Sequence, residues 1–62
     1  MNSKKVLRML MSDGWYISTS FGSHTQLKHP NKAGKVTVPH PRKDLPIGTL
    51  RSIQKQSGVK LV

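Results

Sequence analysis

WYISTSFGSHTQLKHPNKAGKVTVP, residues 15–39, holds three short stretches of strand character divided by two turn signals. Residues 15–20 read as a strand with Trp15 and Ile17 on one face. Phe21-Gly22-Ser23 reads as a turn, and residues 24–29 as a second strand with Leu27 facing inward. Pro30-Asn31-Lys32-Ala33-Gly34 is rich in bend-forming residues, and residues 35–39 follow as a third strand with Val36 and Val38 inward. Strands joined by connections this short must be antiparallel.

On the N-terminal side, residues 3–13 predict a helix. Ser3 is its candidate N-cap, Val6, Leu7, Leu10 and Met11 form its apolar face, and Gly14 is its stop. On the C-terminal side, a basic loop over 40–45 ends in Asp44, a candidate cap for a second helix over 46–57. That helix has Ile47, Leu50 and Ile53 as its inward stripe, Arg51 and Lys55 on its outer face, and Gly58 as its end. The expected fold class is therefore α+β: an α-β-β-β-α order, with a three-stranded antiparallel sheet covered by two helices on one face. Alternation leaves Tyr16, Ser18, Ser20, His24, Gln26, Lys28, Lys35 and Thr37 on the open face, and a bulge near Gly22 would shift that register.

A chain of 62 residues, 34% of them hydrophobic, has room for one domain spanning 1–62. Its core would be about ten aliphatic side chains around Trp15. A core that thin leaves no space for a large enclosed cavity, which favours a polymer substrate on an open surface. Cysteine is absent, which removes disulfide and zinc-thiolate staples and fits a cytoplasmic protein. Arg8 interrupts the apolar run that begins at Val6, and no stretch approaches the roughly 18 apolar residues of a membrane span. Eleven Lys and Arg stand against only Asp13 and Asp44, a formal net charge of +9. Such an excess repels itself in the folded state, and a polyanion such as RNA would relieve it.

RNA cleavage without a metal needs a base for the ribose 2′-hydroxyl and cations for the phosphate oxygens. Histidine, with a reference pKa of about 6.5, suits the first task. His24 follows Gly22-Ser23 at a strand start, where backbone can approach a phosphate and the ring can face solvent. His29 has the parity of Leu27 and reads as partly buried and structural. His40 lies between two prolines beside Arg42 and Lys43, as a second acid–base group or a phosphate contact. Lys28, Lys35, Arg42 and Lys43 are the candidate contacts to the RNA backbone. Adjacent strand residues face opposite ways, so Ser23 and His24 do not form a nucleophile–base pair. Two isolated carboxylates make no metal or glycosidase pair, and the histidine intervals match no recurring zinc spacing. No metal and no cofactor are expected.

Five segments carry a resemblance: Asp13-Gly14-Trp15; Gly22-Ser23-His24; Lys28-His29-Pro30; Val36-Thr37-Val38-Pro39-His40-Pro41; and Lys43-Asp44-Leu45-Pro46-Ile47-Gly48-Thr49-Leu50. In register at these spacings, and continuing through Ile53 to Gly58, they resemble the HicA family of toxin ribonucleases over nearly the whole chain. The resemblance implies a double-stranded-RNA-binding-like fold and an mRNA interferase that inhibits translation. It also implies a HicB-type antitoxin that masks the active site, and a catalytic histidine in the Gly-Ser-His motif, which falls on His24. The family often carries a second histidine next and an aromatic two residues further on; Thr25 and Leu27 stand there in this chain. Two other readings remain open on sequence grounds. One is a non-catalytic RNA-binding module with the same basic surface. The other is a DNA-binding domain using Arg51, Gln54 and Lys55, which the lack of a helix-turn-helix disfavours.

Overall fold

The computed structural model describes residues 1–62. Its elements are α1 (Ser3–Ser12), β1 (Tyr16–Phe21), β2 (His24–His29), β3 (Lys32–Pro39) and α2 (Ile47–Ser57). The sheet is antiparallel with the order β1-β2-β3, so the α-β-β-β-α expectation holds. Eleven buried residues form one core: Trp15 with Val6, Leu7, Leu10, Leu27, Val36, Val38, Leu45, Leu50, Ile53 and Leu61. Ten aliphatics around one indole is the size the composition implied. Each fully buried aliphatic contributes roughly 1.5–3 kcal/mol against the entropy of ordering the chain.

Both hairpins turn on two residues. Phe21 pairs with His24 across Gly22-Ser23. A positive φ of 59° at Gly22 and none at Ser23 is the pattern of a type II′ turn, whose twist matches the strands. His29 pairs with Lys32 across Pro30-Asn31, so β3 begins at Lys32 rather than at Lys35. The extra length is absorbed by a bulge. Between the pairs Leu27–Val36 and His29–Lys32, the single residue Lys28 faces Ala33, Gly34 and Lys35, with Gly34 at φ 85°. A second bulge lies in β1, where Ile17 pairs with Leu27 and Thr19 with Gln26, leaving Ser18 unpaired. That bulge reverses the expected parity of the strand's second half. Thr19 and Phe21, not Ser18 and Ser20, share the open face with Gln26 and His24.

Several expectations about packing need correction. Both helices lie over β3, not β1, and every residue of β1 is exposed. Ile17 and Met11 were expected inside, yet they remain 47% and 49% exposed, on the walls of an open groove between α1 and β1 that no other element fills. Ile47 is also exposed, since it opens α2 before the helix reaches the core at Leu50. Asn2, not Ser3, caps α1: its Oδ1 accepts the Lys5 N–H at 2.7 Å. Asp44 caps nothing; α2 starts after Pro46 without a side-chain cap, and the Asp44 carboxylate instead pairs with the Met1 amine at 2.8 Å. α2 ends as expected, with Gly58 in the left-handed region.

Candidate RNA-binding and cleavage site

Three histidines occupy three different environments. His24, at the start of β2, is exposed, and its ring has no hydrogen-bond partner. Its neighbour Thr25 points the other way and is 2% exposed, so His24 stands on the open face of the sheet. Its strand partners, Phe21 on one side and Pro39 on the other, face the same way. The same alternation buries position 25 against the helices. Position 25, where the family often carries a second histidine, therefore faces away from His24, and the Thr25 that stands there takes nothing from the open face.

His29 is tied down. Its Nδ1 accepts the Asn31 N–H at 3.0 Å, which makes Nε2 the protonated nitrogen, donating to the Asp13 carbonyl at 2.8 Å. The ring meets Trp15 edge-on at 5.3 Å, and the side chain is 8% exposed. A Cβ on Gly14, at φ 107°, would lie 2.7 Å from Nε2, so glycine is required there twice over. Lys32 completes this cluster, donating to the Asp13 carboxylate at 2.7 Å and to the Ser57 carbonyl at 3.1 Å. The ammonium holds the Asp13 carboxyl below the usual carboxylate range, against an opposing effect of desolvation. The structural role expected of His29 is the one it has.

His40 is fixed on the helix side. Its backbone N–H donates to the Ser23 carbonyl at 2.9 Å, which joins it to the Gly22-Ser23 turn. Its Nδ1 lies 2.7 Å from the Ser3 hydroxyl, which also accepts the Arg42 N–H at 2.8 Å. The Ser3 N–H in turn donates to the Arg42 carbonyl at 3.0 Å. Ser3, 1% exposed, is therefore the residue that fastens the 40–42 loop to α1, a role that reading it as a cap had missed. His24 thus has both ring nitrogens free on the open face, His29 has neither, and His40 has its Nδ1 engaged on the helix side beside Arg42 and Lys43.

The cations form two groups. Arg42 and Lys43 share an open concavity of about 530 Å³ with Asn2, Ser3, Lys4, His40 and Pro41. Lys4 joins them because the 40–43 loop folds back on the first turn of α1. Lys28 and Lys35 lie near the other end of the open face, with Lys28 four residues along β2 from His24, or ~13 Å at strand rise. His24 therefore lies in neither basic region: the concavity is on the helix side against α1, and Lys28 is further along the open face. Neither carboxylate intrudes: Asp13 is engaged by Lys32 and Asp44 by the Met1 amine. On α2, Gln54 does not read outward, because its Oε1 accepts the N–H groups of Leu61 and Val62.

Fold and surface together define a small basic α+β domain of the double-stranded-RNA-binding-like architecture, with an open sheet face and a cationic rim. Residues 3–59 match the family model described as the HicA toxin of bacterial toxin–antitoxin systems, and the chain belongs to that family. A solved structure of a HicA3 and HicB3 toxin–antitoxin complex contains a chain 39% identical to this one, covering 100% of both, with a TM-score of 0.80. No curated protein sequence matches the chain. None of its helices is long and apolar enough to cross a membrane.

Proposed function

We propose that the chain is the toxin of a toxin–antitoxin pair, an endoribonuclease that cleaves mRNA in the cytoplasm and so inhibits translation. His24 is its catalytic base, and the reaction needs no metal. The observation that carries this reading is the free imidazole of His24, exposed on the open face of a domain with a formal net charge of +9. In the reaction, the imidazole takes the proton of a ribose 2′-hydroxyl and the 2′-oxygen attacks the adjacent phosphorus. The bond from phosphorus to the 5′-oxygen then breaks, leaving a 2′,3′-cyclic phosphate and a 5′-hydroxyl. The proton held on the imidazole returns to the departing oxygen directly or through water. Arg42 and Lys43 hold the backbone on one side, Lys28 and Lys35 on the other, and their charge offsets the charge that builds on the phosphate. Gly22 and Ser23 keep the rim low enough for a phosphate to reach the ring, and His40 braces the rim from below through Ser23. An antitoxin of the HicB kind, with an acidic face over this rim, both neutralises the toxin and excludes RNA.

One observation favours a second reading, a module that binds RNA without cutting it. His40 turns to the helix side, and this leaves His24 as the only titratable acid–base candidate at its end of the open face. Incubating the purified protein with single-stranded RNA in the presence of a chelator separates the two. The catalytic reading expects fragments ending in 2′,3′-cyclic phosphate, and a loss of roughly 100-fold or more in rate for His24→Ala. Uncut RNA with wild-type protein, or equal cutting by His24→Ala, overturns it.

A further inference from the structure

Phe21 is the most exposed large apolar side chain in the molecule, at 82%. It closes β1 against the Gly22-Ser23 turn, and the bulge at Ser18 sets its parity so that it faces out of the open side of the sheet. There it stands directly across from His24. Cβ atoms of such directly opposed residues lie ~4.5–5.5 Å apart, less than the span of one nucleotide. The surrounding floor is polar, with Thr19, Gln26 and Thr37 along the same face. Pro39 beyond His24 and Tyr16 at the far end of β1 share this face, but with polar side chains between them they do not make the contiguous apolar patch expected of a protein-docking surface. The Phe21 ring offers a π-face for stacking, with donors and acceptors beside it for a base edge.

We propose that Phe21 stacks an unpaired nucleobase next to the phosphate presented to His24, and that the substrate is therefore single-stranded RNA. The inference rests on the ribonuclease reading above and adds to it the strandedness of the substrate and a positioning residue. Charge supports a nucleic-acid occupant: the open face has lysines at Lys28 and Lys35, and both aspartates are paired elsewhere. Geometry supports a single strand. In a duplex the base faces are covered by their neighbours, and a ring rising from a tight turn cannot reach between them without unstacking a step. The approach to the ring is open, as its high exposure shows.

The test titrates the full chain with a 2′-O-methyl RNA oligomer, which cannot be cleaved, as a single strand and as a blunt duplex of the same sequence. Wild-type protein should prefer the single strand. Phe21→Ala and Phe21→Leu should each weaken single-strand binding by about tenfold, whereas Phe21→Trp should retain it or improve it. Duplex binding and the salt dependence of affinity should not change in any of the three, because no charge is removed. Equal single-strand affinity for Phe21→Ala, or full retention by Phe21→Leu, overturns stacking. So does a Phe21→Ala variant that loses only its binding to an antitoxin, which would make the ring a protein contact. If wild-type protein cuts RNA and the Phe21 variants bind and cut like it, this inference fails and the ribonuclease reading stands. If wild-type protein binds no RNA at all, both fail.

Discussion

His24 and His29 begin and end the same strand, five residues apart, and share almost nothing else. At the His29 end, the ring, Gly14, Asp13, Lys32 and the Ser57 carbonyl interlock, joining the end of α1, the second hairpin and the end of α2. At the His24 end, a two-residue turn presents a ring and an imidazole to solvent with no side-chain partner at all. The difference shows what makes a histidine available for chemistry. It is not the residue type but whether both ring nitrogens are already committed. The tied end supplies the rigidity; the free end can then be held in place by backbone alone, through the Ser23 carbonyl and the His40 N–H.

The sharpest way to break this contrast is to remove each ring in turn and measure stability by urea unfolding. His29→Ala leaves the Asn31 N–H and the Asp13 carbonyl without their partner and removes the edge contact to Trp15, so it should cost about 2–3 kcal/mol. His24→Ala should change stability by less than about 0.5 kcal/mol, as exposed substitutions do. Similar losses for the two variants would mean that the free end is also structural, and the division of labour along β2 would be lost.

A smaller effect is expected at the cationic rim. Changing Arg42 and Lys43 together to Ala should weaken binding to single-stranded RNA and lower the slope of log affinity against log salt by roughly 0.7 for each phosphate contact removed. The fold should hold, because the loop is fastened through the Arg42 backbone and not its side chain. An unchanged salt slope would detach the rim from RNA binding and leave the open face to act without it.

Much of this contrast was legible in the sequence. Turn chemistry at Gly22-Ser23 and Pro30-Asn31, and the inward parity of Leu27, Val36 and Val38, carried the topology because each is a local property. The tied role of His29 followed from the same parity. What escaped depended on partners far along the chain. The bulge at Ser18 comes from pairing β1 with β2, and no residue of β1 announces it, so Phe21 read as part of a turn and not as the strand partner of His24. Ser3 read as a cap because serine favours that position; its actual work, holding residues 40–42, requires a contact across almost the whole chain. Met11, Ile17 and Ile47 have the right spacing for burial, but periodicity does not reveal that both helices lean towards β3.

The finest test concerns pH and the tied end. Lys32 holds the Asp13 carboxyl below its ordinary pKa, so the folded state binds this proton less readily than the unfolded chain does. The pair therefore stabilises fully above the unfolded carboxylate value of about 3.9 and is lost as pH falls through the lower folded value. Asp13→Asn removes that ionisation while keeping an oxygen for Lys32 to donate to, so it should lower Tm at neutral pH by a small amount. The gap from wild type should narrow as the solution is acidified below about pH 4 and close once Asp13 is protonated in both states. Because the carboxylate is partly exposed, added salt should narrow the gap at neutral pH as well. The expected loss is small because the His29–Asp13 bond uses the backbone carbonyl, which the substitution leaves in place. A gap that persists in acid would mean that Asp13 acts through the shape of its hydrogen bonds and not through its charge. The tied end would then be a purely geometric clamp, as independent of pH as the turn that holds His24.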